Sequence, residues 1–107
     1  MKGLSLKFYT REFQKHGQVL LYEWLLEAAK KQGIKGGSVF KAISGFGRHG
    51  TLREGHFFEM ASEVPVEIIF HVSEEEAKLF LQLLKQEKID LFYSKTSEEF
   101  GSLSHDD

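Results

Sequence analysis

The chain has no cysteine in its 107 residues, a single proline and a single tryptophan. Without cysteine there can be no disulfide, no zinc–thiolate centre and no thiol nucleophile. A large excess of either sign of charge is missing too. Fourteen Lys and Arg stand against sixteen Asp and Glu, a formal net charge of -2. That balance argues against a constitutive nucleic-acid binder, which carries a basic stripe. No apolar run is long enough to span a bilayer. Met1-Lys2-Gly3-Leu4 does not open a signal-peptide core, so the expectation is a cytoplasmic protein that is not membrane-embedded.

What is present is a modest apolar fraction of 41%, with ten Phe supplying most of the aromatic content. A chain of this length suggests one domain. It buries only about two-thirds of its unfolded surface, so association with further copies is a natural way to bury more.

The pattern along the chain alternates between periods of two and of 3.6. Leu4, Leu6 and Phe8 alternate with Ser5, Lys7 and Tyr9 and predict a strand over Leu4–Thr10. Arg11–Gly17 reads as a connection. Leu21, Leu25, Ala28 and Ala29 then fall at helical spacing, with Trp24 beside them, and predict a helix over Gln18–Gln32 closed by Gly33. After the Gly36-Gly37 turn, Ser38–Gly45 reads as a second strand. A polar loop follows to about His56, and the apolar Phe57–Ala61 stretch suits extended chain. Pro65 permits a strand start, and Val66–Val72 alternates cleanly as the third strand. Ser73-Glu74-Glu75-Glu76 is a capping-box pattern. It opens a helix to about Gln86, with Ala77, Phe80, Leu81 and Leu84 on one face. Ile89–Lys95 reads as the fourth strand, and the residues after Thr96 as a loose polar tail.

The expected class is therefore α+β: a ferredoxin-like βαββαβ sandwich, with two helices on one face of a four-stranded antiparallel sheet. The domain is expected over residues 1–96, with a flexible loop at about 47–56 and a tail over 97–107. Both faces of several strands carry large apolar groups (Phe8 and Tyr9, Phe40 and Ile43, Ile69 and Phe70, Leu91 and Phe92). The helix-free face would be a poor neighbour for water, which predicts an oligomer.

The stretch with most chemical promise is Ser44-Gly45-Phe46-Gly47-Arg48-His49-Gly50. Three glycines allow close approach of a ligand to backbone, and Arg48 supplies a planar cationic fork. An anion such as a phosphate suits that combination; a plain glycine-rich turn is the competing reading. Arg48 and Arg53 together could grip a phosphate bidentately. His49, Glu54 and His56 could share a metal, but nothing orients them and their spacing matches no strong signature. No metal site is expected, nor any catalytic residue: there is no activated nucleophile and no convincing acid–base pair. His71 reads as a half-buried structural or interface residue.

These residues resemble the PII-like signal-transduction superfamily, and within it the group catalogued as domain of unknown function 190. The likeness is carried by Gly45-Phe46-Gly47-Arg48-x-Gly50 after the second strand and by Val64-Pro65-Val66 leading the third. His16-Gly17-x-x-Leu20-x-Tyr22-Glu23 and Gly33-x-x-Gly36-Gly37-Ser38-Val39 add to it. It runs from about Leu4 to Lys95. The resemblance implies a trimer, a loop that changes conformation between strands two and three, and an adenine-nucleotide site in the cleft between subunits. It further implies a non-enzymatic regulator that needs no cofactor and signals to a protein target such as a transporter. On that likeness the nucleotide-binding residues would be Ser38, Val39, Gly45, Phe46, Gly47, Arg48, His49 and Lys88. His49 stands where the superfamily pattern has Gln, and Gln86-Glu87-Lys88 contains no glycine where a phosphate loop is usual. ADP or AMP is therefore a better expected ligand than ATP. Two alternatives are an RNA-binding βαββαβ module, whose signature also contains Gly-Phe-Gly, and a small enzyme using the intersubunit cleft.

Overall fold

The computed structural model describes residues 1–45 and 64–104. In chain order the elements are β1 (Lys2–Arg11), β2 (Lys15–His16), β3 (Val19–Leu20), α1 (Leu21–Lys31), β4 (Gly37–Lys41), β5 (Pro65–Val72), α2 (Glu74–Gln86) and β6 (Phe92–Glu99). The four longer strands form one antiparallel sheet in the order β4-β5-β1-β6. The small β2–β3 hairpin stands apart from it. With the two helices this is the ferredoxin-like arrangement.

Alternation in β1 and β5 fixes which face is covered. Leu4, Leu6 and Phe8 of β1 are buried with Val66, Ile68, Phe70 and Val72 of β5, because their register puts them on one face. Leu21, Leu25, Ala28 and Ala29 of α1 and Ala77, Phe80 and Leu84 of α2 close over them. At the centre Phe8, Phe70 and Phe80 meet edge to face, with ring centroids 5.5–6.2 Å apart, the geometry their quadrupoles favour. α2 starts on the expected capping box: Ser73 Oγ accepts from the Glu76 amide, and Glu76 Oε1 accepts from the Ser73 amide.

Several boundaries differ from expectation, each for a local reason. α1 begins at Leu21, not Gln18, because Val19 and Leu20 pair with His16 and Lys15. Gly17, at φ 65°, supplies the positive φ that a two-residue hairpin turn needs at its first central position. The second sheet strand stops at Lys41, not Gly45; Ala42 donates one more bond to the Pro65 carbonyl, and Ile43 lies fully exposed. The last strand begins at Phe92, not Ile89, and runs to Glu99, past the start of the expected tail. The β1 backbone from Lys2 to Tyr9 pairs with all of it. The Phe46–His56 loop, Phe57–Ala61 and His105–Asp107 lie outside the described residues.

Candidate functional site

The sheet has one end at which several connections meet. There β1 and β4 finish, and β5 and β6 begin. Three features of the chain therefore converge on it: Gly45 and Val64, the hairpin that follows β1, and the link from α2 to β6. The convergence follows from topology, since α2 starts beyond the far end of β5 and its 13 residues carry the chain back across the sheet.

Lys88 lies in that α2–β6 link, and its backbone is unusual. It is the one non-glycine residue at positive φ among the described residues, at 58°. The reason is visible in the hydrogen bonds. The Lys88 amide donates to the Lys85 carbonyl and the Ile89 amide to the Leu84 carbonyl, both at 3.0 Å. That is the Schellman closure, which needs a left-handed residue just past the helix. α1 ends in the same way: Gly33 donates to Lys30, Ile34 donates to Ala29, and Gly33 sits at φ 89°. The two helices thus share one terminal geometry, built on glycine at α1 and on lysine at α2. A left-handed L-residue costs about 1–2 kcal/mol, partly offset because glycine loses more entropy on folding. Lys88→Gly is therefore expected to stabilise the fold by roughly 0.5–1 kcal/mol, read as a higher urea midpoint. A destabilised variant would mean that the lysine side chain supports the fold.

Glu87, the C-cap residue of α2, breaks a second local preference. A carboxylate at a helix C-terminus opposes the macrodipole, whereas α1 places Lys30 and Lys31 in its last turn. What Glu87 gains is His16 of the hairpin, whose Nε2 lies 3.3 Å from Glu87 Oε1. The His16 ring meets Trp24 edge-on at 5.0 Å.

On the other edge of the sheet, Ser38 lines a shallow cleft of about 190 Å³ with Gly36, Gly37, Phe40, Ile69 and His71. Gly37 is required there by packing: a Cβ would lie 2.4 Å from the Phe70 ring. Val39 turns its side chain toward the helices and packs on the core, so it offers a ligand only edge-strand backbone. At Gly45 a Cβ would make ordinary contact with Pro65 at 3.6 Å, so packing among the described residues does not impose glycine. Phe46, Gly47, Arg48 and His49 lie outside the described residues, as do Arg53, Glu54 and His56.

The structure does not bring Ser38 and Lys88 together within one protomer. Ser38 is on β4, and Lys88 leads toward β6, with β5 and β1 between. Three inter-strand spacings amount to roughly 14 Å of sheet. The cleft beside Ser38 is also smaller than the ~300 Å³ at which small-molecule sites begin.

The helix-free face exposes Phe40 and Phe92 and leaves Ile69 and Tyr9 half-buried. Its polar groups are internally matched. Tyr9 donates to Glu67 Oε2 at 2.8 Å; burial, then that bond and the nearby negative charge, push its phenol above its ordinary value. His71, expected to be half-buried, is exposed; it pairs with Glu98 and lies against the Phe100 ring. The cations Lys7 and Arg11 on this face are offset by Glu67 and Glu98, unlike the basic platform an RNA reader presents. Among the described residues there is no cluster of three or more His, Asp or Glu fit to hold a metal, and no helix long and apolar enough to cross a membrane. The sequence names His16 only within the family likeness and Glu87 only within the glycine-free link after α2, and it does not single out Glu12; the contacts these three make at the convergent end come from the structure. The acid at a helix C-terminus was the one local signal that pointed there.

Comparison with known proteins agrees with this architecture. The family model DUF190, described as an uncharacterized ACR, matches residues 3–90. A UPF0166 protein of Aquifex aeolicus is 35% identical over 85 residues, covering 79% of this chain and 81% of that protein. Among solved structures, CPII of Thiomonas intermedia K12, a nitrogen regulatory PII-like protein bound to ADP, AMP and bicarbonate, superposes with a TM-score of 0.65. It is 18% identical, over 97% of this chain and 98% of that one. A PII-like signaling protein of Thermus thermophilus gives a TM-score of 0.61 at 20% identity, over 92% of this chain and 87% of that one.

Proposed function

The chain belongs to the DUF190 family and has a PII-like fold, and from that premise we propose that it is a cytoplasmic regulator that binds an adenine nucleotide. ADP or AMP is the preferred ligand, held at the cleft between subunits of a trimer. The segment at about 47–56 carries the signal to a protein partner. The proposed contacts are Ser38 and Val39 on β4, Gly45, Phe46, Gly47, Arg48 and His49 at the loop base, and Lys88 after α2.

The observation that carries this reading is Lys88. It is held in a conformation that glycine adopts more readily, at the end of the sheet where Gly45 and Val64 also lie. Local rules are broken at functional sites more than elsewhere, and an ammonium group is what a phosphate needs. Sharing between subunits is supported by the distance between Ser38 and Lys88, which one chain does not close. CPII, with the same fold, holds ADP and AMP. Ligand contacts that favour one arrangement of the loop over another would then shift its population.

Calorimetric titration with AMP, ADP, ATP and cyclic AMP tests the proposal. ADP or AMP is expected to bind most tightly. Arg48→Ala and Lys88→Ala should each weaken binding by about tenfold or more, the loss of a charge-assisted hydrogen bond. Lys88→Gly should weaken it similarly while raising stability. Absence of binding by any of the four up to millimolar concentration would sink the nucleotide reading.

A further inference from the structure

The hairpin after β1 touches both halves of the convergent end. At its root the Gln14 amide donates to the Arg11 carbonyl, the buried Thr10 hydroxyl donates to Gln14 Oε1, and the Leu21 amide donates to the Gln14 carbonyl. The hairpin is therefore tied to both β1 and α1. On one side Glu12 forms an ion pair with Lys41, the last residue of β4, at 3.0 Å, and its amide donates to the Val64 carbonyl just before β5. On the other side His16 reaches Glu87 beside Lys88, with Trp24 fixing the plane of its ring. The short stretch from Glu12 to His16 thus spans from the ends of β4 and β5 to the end of α2.

We propose that the β2–β3 hairpin is a mechanical link between the α2–β6 connection and the ends of β4 and β5, with His16 and Glu87 as the positioning pair on one side and Glu12 as the anchor on the other. The link explains why α2 ends in an acid that its own dipole disfavours. It also gives ligand occupancy at Lys88 a contiguous path to the strand ends that flank residues 42–63. Such a path is a physical claim only if both ends respond to one change. The mechanics stand on the contacts alone; the role of nucleotide as the signal rests on the proposed function.

Amide hydrogen exchange by NMR on the full chain tests the link. In His16→Ala the Lys88 and Ile89 amides should exchange faster, and so should the Glu12 and Ala42 amides, which bond to Val64 and Pro65. The expected change is roughly two- to tenfold, the size of one net side-chain hydrogen bond. Glu87→Gln, which keeps the shape and removes the charge, should move the same amides in the same direction. Leu6, in the buried strand, should keep its rate. Acceleration confined to Lys88 and Ile89 would overturn the proposal, leaving His16 as a local cap. No change at all overturns it too. So does uniform acceleration that includes Leu6 in both variants, since the pair would then be a general stabiliser. With saturating ADP the wild-type Glu12 and Ala42 amides should slow, and those of the variants should not. If ADP does not bind the wild-type chain, the nucleotide reading fails, while the ligand-free comparison still decides the link.

Discussion

Phe80→Ala is expected to cost about 3–5 kcal/mol of stability, a large part of the roughly 5–15 kcal/mol that holds a domain of this size together. Phe80 is fully buried and is the third ring of the set with Phe8 and Phe70. It is also the side chain by which α2 reaches β1 and β5 together. Truncation leaves a ring-sized void, and the neighbouring rings cannot collapse into it because each is already fixed by its own strand. Two edge-to-face contacts, worth about 0.5–1.5 kcal/mol each, go with it. Urea unfolding at one fixed protein concentration measures the loss; concentration must be held because any association would add to apparent stability. Phe80→Leu should fall between the two. A loss below about 1 kcal/mol would mean that α2 docks by other contacts.

That core is legible without coordinates. Leu4, Leu6, Phe8 and the Val66–Val72 alternation point to one face because a strand has a period of two, and burial of one face fixes the register. Ser73 and Glu76 announce the start of α2 because the capping box is a local device. The end of α2 misleads for an equally local reason. Ile89 and Leu91 alternate with Asp90 as strand residues do, but Ile89 is the residue that closes the Schellman turn and packs back on the core. A lysine gives no hint that its backbone is left-handed. Strand β6 reads short in the sequence because Ser97, Glu98 and Glu99 are polar; an edge strand tolerates that, and its partner β1 supplies the ladder.

The site is legible in parts. Gly45 and Lys88 can be named from resemblance, and the structure places both at the same end of the sheet. The contacts that organise this end are not readable from spacing. His16 and Glu87 are 71 residues apart, and Glu12 meets Lys41 only because β1 and β4 end together. Such pairs follow from topology, so they emerge only once strand order is known. The second sheet face lies between these cases. Its apolar residues are predicted from alternation, and Phe40 and Phe92 are indeed left in the open.

Ile69→Glu is expected to reduce the proposed trimer to single chains. Ile69 lies on the helix-free face of β5, opposite Ser38 of β4 and two residues from Glu67 on the same face. In an isolated protomer the substitution should cost little, since this face is in contact with water. Against a neighbouring copy the new carboxylate would be taken out of water beside Lys7, its register neighbour on β1, and burying that pair costs up to several kcal/mol in desolvation. Closed symmetry imposes that cost once per chain, so it acts at every interface together. Phe92→Glu, two strands away on the same face, should act in the same way; Leu79→Glu, on the exposed side of α2, should not. Light scattering after size exclusion reads the mass directly. If Ser38 and Lys88 serve one ligand through different subunits, both dissociated variants should also lose nucleotide binding, although Phe92 does not line the cleft beside Ser38. Retention of the wild-type mass by Ile69→Glu, or a single-chain mass for the wild type itself, would rule out the sheet face as the interface. In the first case the site would have to be closed by some other surface of a second chain; in the second, a site shared between subunits falls altogether.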